Sequence, residues 1–379
     1  MKLRASALLT ALLAGSLALT ACGGGRGATE TETTSSGASQ SASQDAGGSE
    51  GFAADATIGV ALPWLGTQNW MEAQTLFEQQ LTEAGFKPLI QAADNKVPQQ
   101  QQQIEAMIEQ GAKVIVVGPI DGTQLGSVLG SAKDAGVTVI GYDRLIQNTD
   151  AVSGIVQFGS IRTGELQGQA LLDGLAAEKG EPPYNIELFG GGPADPNAPD
   201  FFKGAMNVLQ PKIDDGTLVV KSGQMDFTQA ATQDWDNARA QARMDTLMSN
   251  YSGDEIDGVL SPNDGIARAI ITSVKQAGQA SVPVLTGLDA ENESIVWIAK
   301  GDQYSTVGKP TELLVGKTVE IIKSLQAGQG MPEPDATANN GTIDVGLYQL
   351  DPVVITKANA KEVLANDAAR LKLFEDNLS

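Results

Sequence analysis

The stretch that decides the fold lies at residues 113–143, KVIVVGPIDGTQLGSVLGSAKDAGVTVIGYD. Two apolar runs, at 113–119 and 138–143, flank a segment whose pattern predicts a helix over about 121–135. Both runs are rich in Val and Ile without interruption, so both faces of each strand are expected to be buried. Such strands are typical of a parallel sheet that is covered by helices. The stretch therefore predicts a βαβ unit of an α/β protein.

The same alternation continues on both sides of this unit. Strands are predicted at 57–63 and 87–93, each followed by a segment with helical periodicity. A second series of helices and strands begins at a helix over 163–180 and closes with a strand at 282–289. The sequence therefore predicts two doubly wound parallel-sheet lobes in tandem.

The N-terminus has the pattern of an export signal. Lys2 and Arg4 precede a short apolar run that ends on small residues before Cys22, the only cysteine of the chain. This pattern predicts a signal peptide at 1–21, and LTAC is similar to a bacterial lipobox whose cysteine becomes lipidated. The alternative is a chance cysteine in an ordinary signal peptide. Residues 22–55 offer almost nothing to bury, so we expect a flexible stalk that tethers the chain to membrane lipid through Cys22.

The charge of the chain excludes some functions. It carries 25 basic and 46 acidic residues, a net charge of −21, and no histidine. An acidic surface repels nucleic acid, so we expect no nucleic-acid partner. The lack of histidine removes the commonest general base and the commonest zinc ligand, which disfavours an enzyme.

Ligands of open parallel sheets bind beyond the carboxyl ends of the strands, so residues that follow the predicted strands are the candidate site. They lie at 63–70, 119–121, 190–197 and 262–264 and at Asp143, Arg144 and Asp289. Carboxylates, amides and a guanidinium can exchange hydrogen bonds with hydroxyl groups, while indoles cover the C–H faces of a pyranose. These side chains favour a neutral sugar as ligand.

The glycine run FGGGPADP at 189–196 is a weaker signal. It lacks GxGxxG and the Lys-Ser/Thr of a phosphate-binding loop. We expect it to form a turn that lets the backbone approach the ligand.

Eight short segments, taken in order, resemble the type I periplasmic-binding-protein superfamily. They are QNWMEA, GPIDGT, VIGYDRLIQN, NIELFGG, LVVKSGQM, WDNARAQARMD, VLSPNDGIA and TGLDAE. The chain is most similar to the multiple-monosaccharide-binding receptors of ABC importers, in the group that includes ribose, galactose and xylose receptors. The resemblance implies two lobes joined by three crossovers, with an N-terminal lobe of 56–158 plus 310–341 and a C-terminal lobe of 159–309 plus 342–379.

The resemblance also implies the residues that contact the sugar. By position they are Asn69, Trp70, Asp143, Arg144, Asn197, Trp235, Asn263 or Asp264, Asp289 and Lys309. Trp70 and Trp235 would sandwich the ring, and relatives often carry Arg where Asn69 stands. The segment EKGEPPYNIEL lacks the alternating carboxylates of a calcium loop, so neither a metal nor another cofactor is expected.

Most of these assignments have a structural alternative. Asp143 and Arg144 could form a salt bridge that pins a loop, and Trp70 or Trp235 could be core. Asp264 could chiefly cap the helix that follows, which would leave Asn263 as the sugar contact. Trp64 and Trp297 are expected to be packing or surface residues.

The resulting hypothesis is a monomeric, lipid-anchored, non-enzymatic receptor that delivers a xylose-, glucose-, galactose- or arabinose-type monosaccharide to an ABC permease. A sugar sensor that signals to a membrane chemoreceptor or sensor kinase would have the same site. A glycoside-processing enzyme would use Asp143 and Asp289 as paired carboxylates. That alternative is disfavoured because the cationic Arg144 beside Asp143 stabilises the ionised carboxylate, which suits a general acid poorly.

Overall fold

The structure is a computed structural model that describes residues 51–249, 251 and 255–378. The predicted signal peptide, Cys22 and the stalk up to residue 50 lie outside these residues. Among the helices of the described ranges, none combines the length and the apolar composition that crossing a membrane requires.

The first part of the chain alternates strands and helices as predicted. Its elements are β1 Thr57–Leu62, α1 Gln68–Glu83, β2 Lys87–Ala92, α2 Val97–Glu109, β3 Val114–Val117, α3 Gly126–Asp134, β4 Thr138–Tyr142 and β5 Gly154–Phe158. Helix α3 begins later than the predicted residue 121. The reason is that the Asp121 carboxylate accepts hydrogen bonds from the backbone N–H (2.8 Å) and the hydroxyl (2.7 Å) of Thr123, which forms a turn instead.

The second series follows at once. Its elements are α4 Ser160–Glu178, β6 Tyr184–Leu188, α5 Asn197–Asp214, β7 Leu218–Val220, α6 Phe227–Ala230, a 3₁₀ turn at Gln233–Trp235, α7 Asn237–Met248, β8 Gly258–Leu260, α8 Asp264–Gln276, β9 Val284–Leu285, α9 Asn292–Lys300 and β10 Ser305–Gly308. The chain ends with elements for which the sequence offered no specific prediction. They are α10 Thr311–Gln326, β11 Ala336–Asn339, β12 Asp344–Leu350, β13 Val353–Thr356, α11 Ala360–Val363 and α12 Ala368–Asp376.

Two main sheets organise these elements. The larger has seven strands in the order β11-β12-β5-β4-β3-β1-β2, and all its neighbouring pairs are parallel except β11 with β12. The smaller has four parallel strands in the order β7-β6-β8-β9, and β10 pairs antiparallel with β13 beside it. We call the part of the chain around the seven-stranded sheet the first lobe and the part around the four-stranded sheet the second lobe.

The larger sheet is buried on both faces, as the Val/Ile runs predicted. Ile58, Val60 and Val116 pack on one side with α1 and α10, whereas Ile115 and Val117 pack on the other with α2 and α3. Successive strand residues point to opposite faces, so one short apolar strand contributes to both core clusters. This explains why these strands show no alternation of apolar and polar residues.

The chain passes between the lobes three times, between β5 and α4, between β10 and α10, and between β12 and β13. The predicted α/β fold of two doubly wound lobes with three crossovers is confirmed. One boundary was wrong. Strand β12, which the sequence analysis placed in the second lobe as part of 342–379, pairs in parallel with β5 of the first lobe, with Leu347 opposite Ile155. The third crossover therefore comes after Leu350, because β12 continues the larger sheet and covers its edge at β5.

Candidate functional site

Asp143 and Arg144 leave the carboxyl end of β4 in a tight turn. Asp143 has a φ of 62°, in the left-handed region that non-glycine residues seldom adopt, and its N–H donates to the carbonyl of Val156. The N–H of Arg144 donates back to the carbonyl of Tyr142 at 2.7 Å. The turn directs both side chains away from the sheet core. Strained backbone of this kind is often associated with function.

Lys309 joins a carboxylate from each lobe. Its Nζ lies 3.2 Å from Oδ1 of Asp143, at the end of β4, and 3.5 Å from Oδ1 of Asp289, which follows β9. All three side chains are at most 11% exposed. Asp289 has a φ of 88°, so both carboxylates of this cluster stand on left-handed turns.

Burial and charge set the pKa values in this cluster. Burial raises the pKa of Asp289 to about 6, against the opposing effect of the Lys309 ammonium. Burial alone would lower the pKa of Lys309, but the Asp143 and Asp289 carboxylates outweigh it and raise that pKa above its usual value. Lys309 therefore stays charged at neutral pH.

A second cluster connects Arg144 to the other lobe. Its Nη2 lies 2.8 Å from Oδ2 of Asp195, and both side chains are buried. The indole Nε1 of Trp235 donates to the same Asp195 oxygen at 3.2 Å. The amide of Asn197 donates to the carbonyl of Asp143 at 2.8 Å, which adds a further bond between the lobes. Burial raises the pKa of Asp195, and the Arg144 guanidinium opposes this shift.

Both tryptophans of the predicted sandwich lie against glycines. A Cβ built on Gly118 would be 3.1 Å from the Trp70 ring, and one built on Gly191 would be 2.2 Å from the Trp235 ring. The glycine run was expected to let backbone approach the ligand, yet Gly191 and Gly192 instead make room for the Trp235 indole. Trp70 is only 3% exposed and belongs to the core of the first lobe as well as to the cleft wall.

These side chains line one cleft between the lobes. Its wall is formed by Trp64, Thr67, Asn69, Trp70, Asp143, Arg144, Asp195, Asn197, Phe201, Trp235, Asn263, Leu288, Asp289 and Lys309. Acids, bases, amides and indoles of both lobes therefore face the same space. Such a cleft can surround a small polar molecule.

Comparison with known proteins agrees with this architecture. A sequence model for the periplasmic binding protein domain matches residues 58–330. The chain belongs to the periplasmic binding protein family. It is 43% identical over 320 residues to the multiple sugar-binding periplasmic receptor ChvE of Rhizobium radiobacter, covering 83% of this chain and 90% of that one.

Two further relatives agree. The D-xylose-binding periplasmic protein of Escherichia coli is 33% identical over 315 residues, covering 83% of this chain and 91% of its own. The crystal structure of an ABC transporter solute binding protein from Clostridium phytofermentans with bound β-D-glucose is similar with a TM-score of 0.79. The two chains are 36% identical, and the match covers 83% of this chain and 99% of that one. The predicted membership of the type I periplasmic binding proteins is thereby confirmed.

The structure brings every predicted site residue except Asp264 to the cleft of this periplasmic binding protein. Asp264 is fully buried, where its carboxylate accepts hydrogen bonds from the backbone N–H of Glu291 (2.8 Å) and from the Gln303 amide (2.9 Å). The alternative that Asp264 caps α8 is wrong, because its carboxylate bonds to Glu291 and Gln303 instead. Asn263 is the N-cap, and its Oδ1 accepts from the N–H of Ile266 while the residue still lines the cleft.

Some cleft residues were not selected from the sequence. Asp195, Thr67 and Trp64 lie in segments that follow predicted strands, so the position rule pointed at their neighbourhood without choosing them. Trp64 had been expected to be a packing or surface residue. Phe201 and Leu288 give no signal in the sequence, because one apolar residue in a helix or strand resembles any core residue.

No group of three or more metal-ligating side chains occurs within the ranges that the structure describes. The expectation that the protein works without a metal or another cofactor remains a prediction. Treatment with a chelator tests this prediction, and ligand binding should survive it.

Proposed function

We propose that the chain captures a neutral monosaccharide in the cleft and presents it to the permease of an ABC importer. Two relatives are named for binding sugars, and the similar structure from Clostridium phytofermentans holds β-D-glucose. The candidate sugars are of the xylose, glucose, galactose or arabinose type. A sensory role would use the same cleft.

The observation that carries this proposal is that both lobes supply hydrogen-bonding groups to one cleft. Asp143 and Arg144 come from the first lobe, and Asp195, Asn197 and Asp289 from the second. A ligand that bonds to both sets binds the closed arrangement more tightly than an open one, so it shifts the population toward closure. The permease would then recognise the closed lobes.

The charges of the cleft favour a neutral ligand. Arg144 is paired with Asp195, and Lys309 is paired with two carboxylates, so neither cation is in surplus for an anionic ligand. Among the described residues, Nε of Arg144 is buried without a hydrogen-bond partner, and Oδ1 of Asp289 has only the Lys309 ammonium beside it, at 3.5 Å. Hydroxyl groups, which both donate and accept, would suit this donor and this acceptor.

The proposed role is not catalytic. A glycoside-processing enzyme would need one of Asp143 and Asp289 as a proton donor and the other as a base or nucleophile. The Lys309 ammonium lies within 3.5 Å of both carboxylates, so each is engaged in an ion pair and is not free to act as a proton donor or a nucleophile. Release of a sugar from a labelled glycoside would contradict this part of the proposal.

A lipid anchor at Cys22 and an extracytoplasmic location complete the proposal. They rest on the sequence pattern and on relatives that are named as periplasmic proteins. Labelled palmitate should be incorporated into the wild-type protein in its native host and absent from Cys22→Ser, with the variant released from the membrane fraction. Equal labelling of both forms would contradict the anchor.

Calorimetric titration of the folded domain with xylose, glucose, galactose, arabinose and ribose tests the function. At least one sugar should bind with a Kd on the order of micromolar, equivalent to ~8 kcal/mol. Asp143→Ala and Trp235→Ala should each weaken that binding at least tenfold, because each removes a cleft contact.

Trp297→Ala is the matched control for the loss of an indole. Trp297 packs on the second lobe and does not line the cleft. Its folded fraction should bind the sugar as the wild type does. Absence of binding to every sugar would refute the function, whereas unchanged affinity in both cleft variants would refute the site.

A further inference from the structure

Helix α1 bonds to the second lobe at a place outside the cleft. Asn69 and Trp70 line the cleft, whereas Gln68 and Glu72, one turn apart on the same helix, do not. Instead, Gln68 and Glu72 reach residues at the start of α9 and in α12 of the second lobe. The first lobe therefore holds the second through residues that do not face the ligand.

Gln68 of the first lobe accepts a hydrogen bond from the first residue of α9 in the second lobe. Its Oε1 accepts from the backbone N–H of Asn292, the first residue of α9, at 2.8 Å. The first N–H groups of a helix have no partner within that helix, and the N-cap residue Glu291 makes no capping bond with its side chain. The Gln68 amide also donates to Oε1 of Glu72 at 2.7 Å, which orients both side chains.

Arg370 of α12 completes the connection. Its Nη2 donates to Oε1 of Glu72 at 2.6 Å across the lobes, while its Nη1 is held by Asp367 at 2.7 Å. Its Nε donates at 2.8 Å to the carbonyl of Ala290, the residue after Asp289. The Arg370 side chain is 18% exposed and that of Glu72 is 30% exposed, so water screens this pair only in part.

We propose that Gln68, Glu72, Asn292 and Arg370 form a latch that sets the affinity for the ligand without touching it. This inference rests on the proposed function. The bonds that join the lobes exist only while the lobes are together, so their free energy is added to the closed state alone. A ligand that binds the closed state gains this free energy as tighter binding, and opening must break the latch before the ligand leaves.

Glu72→Ala tests the latch, with Glu78→Ala as its matched control. Glu78 is an exposed residue of the same helix, so both variants lose one charge and gain the same helix propensity. Glu72→Ala should raise the Kd for the sugar about threefold to tenfold through a faster dissociation rate. High salt should reduce the difference from wild type, and Glu78→Ala should bind as wild type does.

Arg370→Ala and the double variant close a thermodynamic cycle. Glu72→Ala should have a smaller effect on the Kd in the Arg370→Ala background than in wild type, because the partner is already absent. Without sugar, the melting temperature of Glu72→Ala should equal that of Glu78→Ala. A lower melting temperature without sugar would show a general structural role and overturn the latch, even if Arg370→Ala failed to fold.

The outcomes also separate the two proposals. If the wild-type protein binds no sugar, the proposed function fails, and the latch fails with it. If the wild type binds sugar and Glu72→Ala binds it with the same Kd and dissociation rate, the function stands and the latch alone is wrong. An undiminished effect of Glu72→Ala in the Arg370→Ala background would likewise exclude their coupling.

Discussion

At the scale of single residues, the neighbours Asp143 and Arg144 each pair with a distant partner and not with each other. They were candidates for a local salt bridge or for direct ligand contact. The structure pairs Arg144 with Asp195 at 2.8 Å and Asp143 with Lys309 at 3.2 Å. Two adjacent charges thus reach different partners, because the left-handed turn at Asp143 separates their directions. Their ion pairs join parts of the chain far apart in sequence.

Buried carboxyl groups make the stability of this protein sensitive to pH near neutrality, although the chain has no histidine. Burial and, to a smaller extent, the nearby Glu291 carboxylate together raise the pKa of Asp264 to about 7, against the opposing effect of the hydrogen bond from Gln303. An acid with a raised pKa holds its proton in the folded state at a pH where the unfolded chain has lost it. Folding stability therefore falls as pH rises from about 4, the usual pKa of an aspartate in an unfolded chain, to about 7, its pKa in the folded protein.

Asp264→Asn should flatten this dependence. The wild-type free energy of unfolding should decrease between pH 5 and pH 8. The reason is that the unfolded chain has already lost the Asp264 proton at pH 5, whereas the folded protein keeps it until about pH 7. The variant is less stable at pH 5 because its amide cannot accept both hydrogen bonds, but it has no such ionisation. Urea unfolding across this pH range measures both. Parallel curves for the two proteins would contradict the raised pKa.

The site was predictable where strand order alone fixed the position of a residue. Asp143 follows β4 directly and Asp289 lies four residues after β9, so their place at the carboxyl edge could be expected from the pattern of strands. Asp264 follows β8 just as closely but turns inward to Glu291 and Gln303. Whether a residue at the start of a helix faces the cleft or the core depends on how that helix packs against the next loop. Local periodicity does not reveal this packing.

At the scale of elements, the glycine run after β6 supports the position of Trp235. Trp235 lies at the end of a 3₁₀ turn with a φ of 56°, and its ring rests on Gly191 and Gly192. The two segments are over forty positions apart in sequence, so the glycines gave no hint of their partner. The sequence identified the indole and the glycines separately and assigned the glycines to the ligand.

Gly191→Ala should displace this indole. The new methyl group would lie 2.2 Å from the ring, so the Trp235 side chain or the loop must move. We expect sugar affinity to fall at least tenfold, with a change in tryptophan fluorescence. Gly130→Ala in α3 is the control, because its methyl group would meet nothing within 4 Å. That variant should bind as wild type does and gain up to about 1 kcal/mol in stability. Unchanged affinity in Gly191→Ala would show that the indole position does not matter.

The strands that were predicted and those that were missed differ in their sequence. Runs such as VIVV in β3 are buried on both faces and carry an unmistakable signal. The late strand β11, ATAN, is mostly exposed at the sheet edge, and β10, STVG, is short and largely polar. The strand conformation of β10 depends on pairing with β13, more than forty positions later, and that of β11 depends on pairing with β12 across a short turn.

At the scale of the whole molecule, the two lobes could be counted from the sequence, but the last crossover could not be placed. The strand β12, DVGLYQL, and the strand β13, VVIT, are separated by only two residues, yet they pair in different lobes. Each strand suits either sheet by composition. The choice is made by the long-range pairing of Leu347 with Ile155 and of Val354 with Val307.

The three crossovers have a mechanical consequence for ligand capture. They connect the lobes at the side where Lys309 bridges Asp143 and Asp289, so those carboxylates stay close to the points where the chain passes between lobes. Arg144–Asp195 and Glu72–Arg370 do not belong to a crossover, and lobe separation would break them. The closed state is therefore populated when the free energy of the ligand contacts and of the latch exceeds the conformational entropy that the open lobes would keep. A receptor that must later release its ligand gains from this division, because a partner that opens the latch lowers the affinity without entering the cleft.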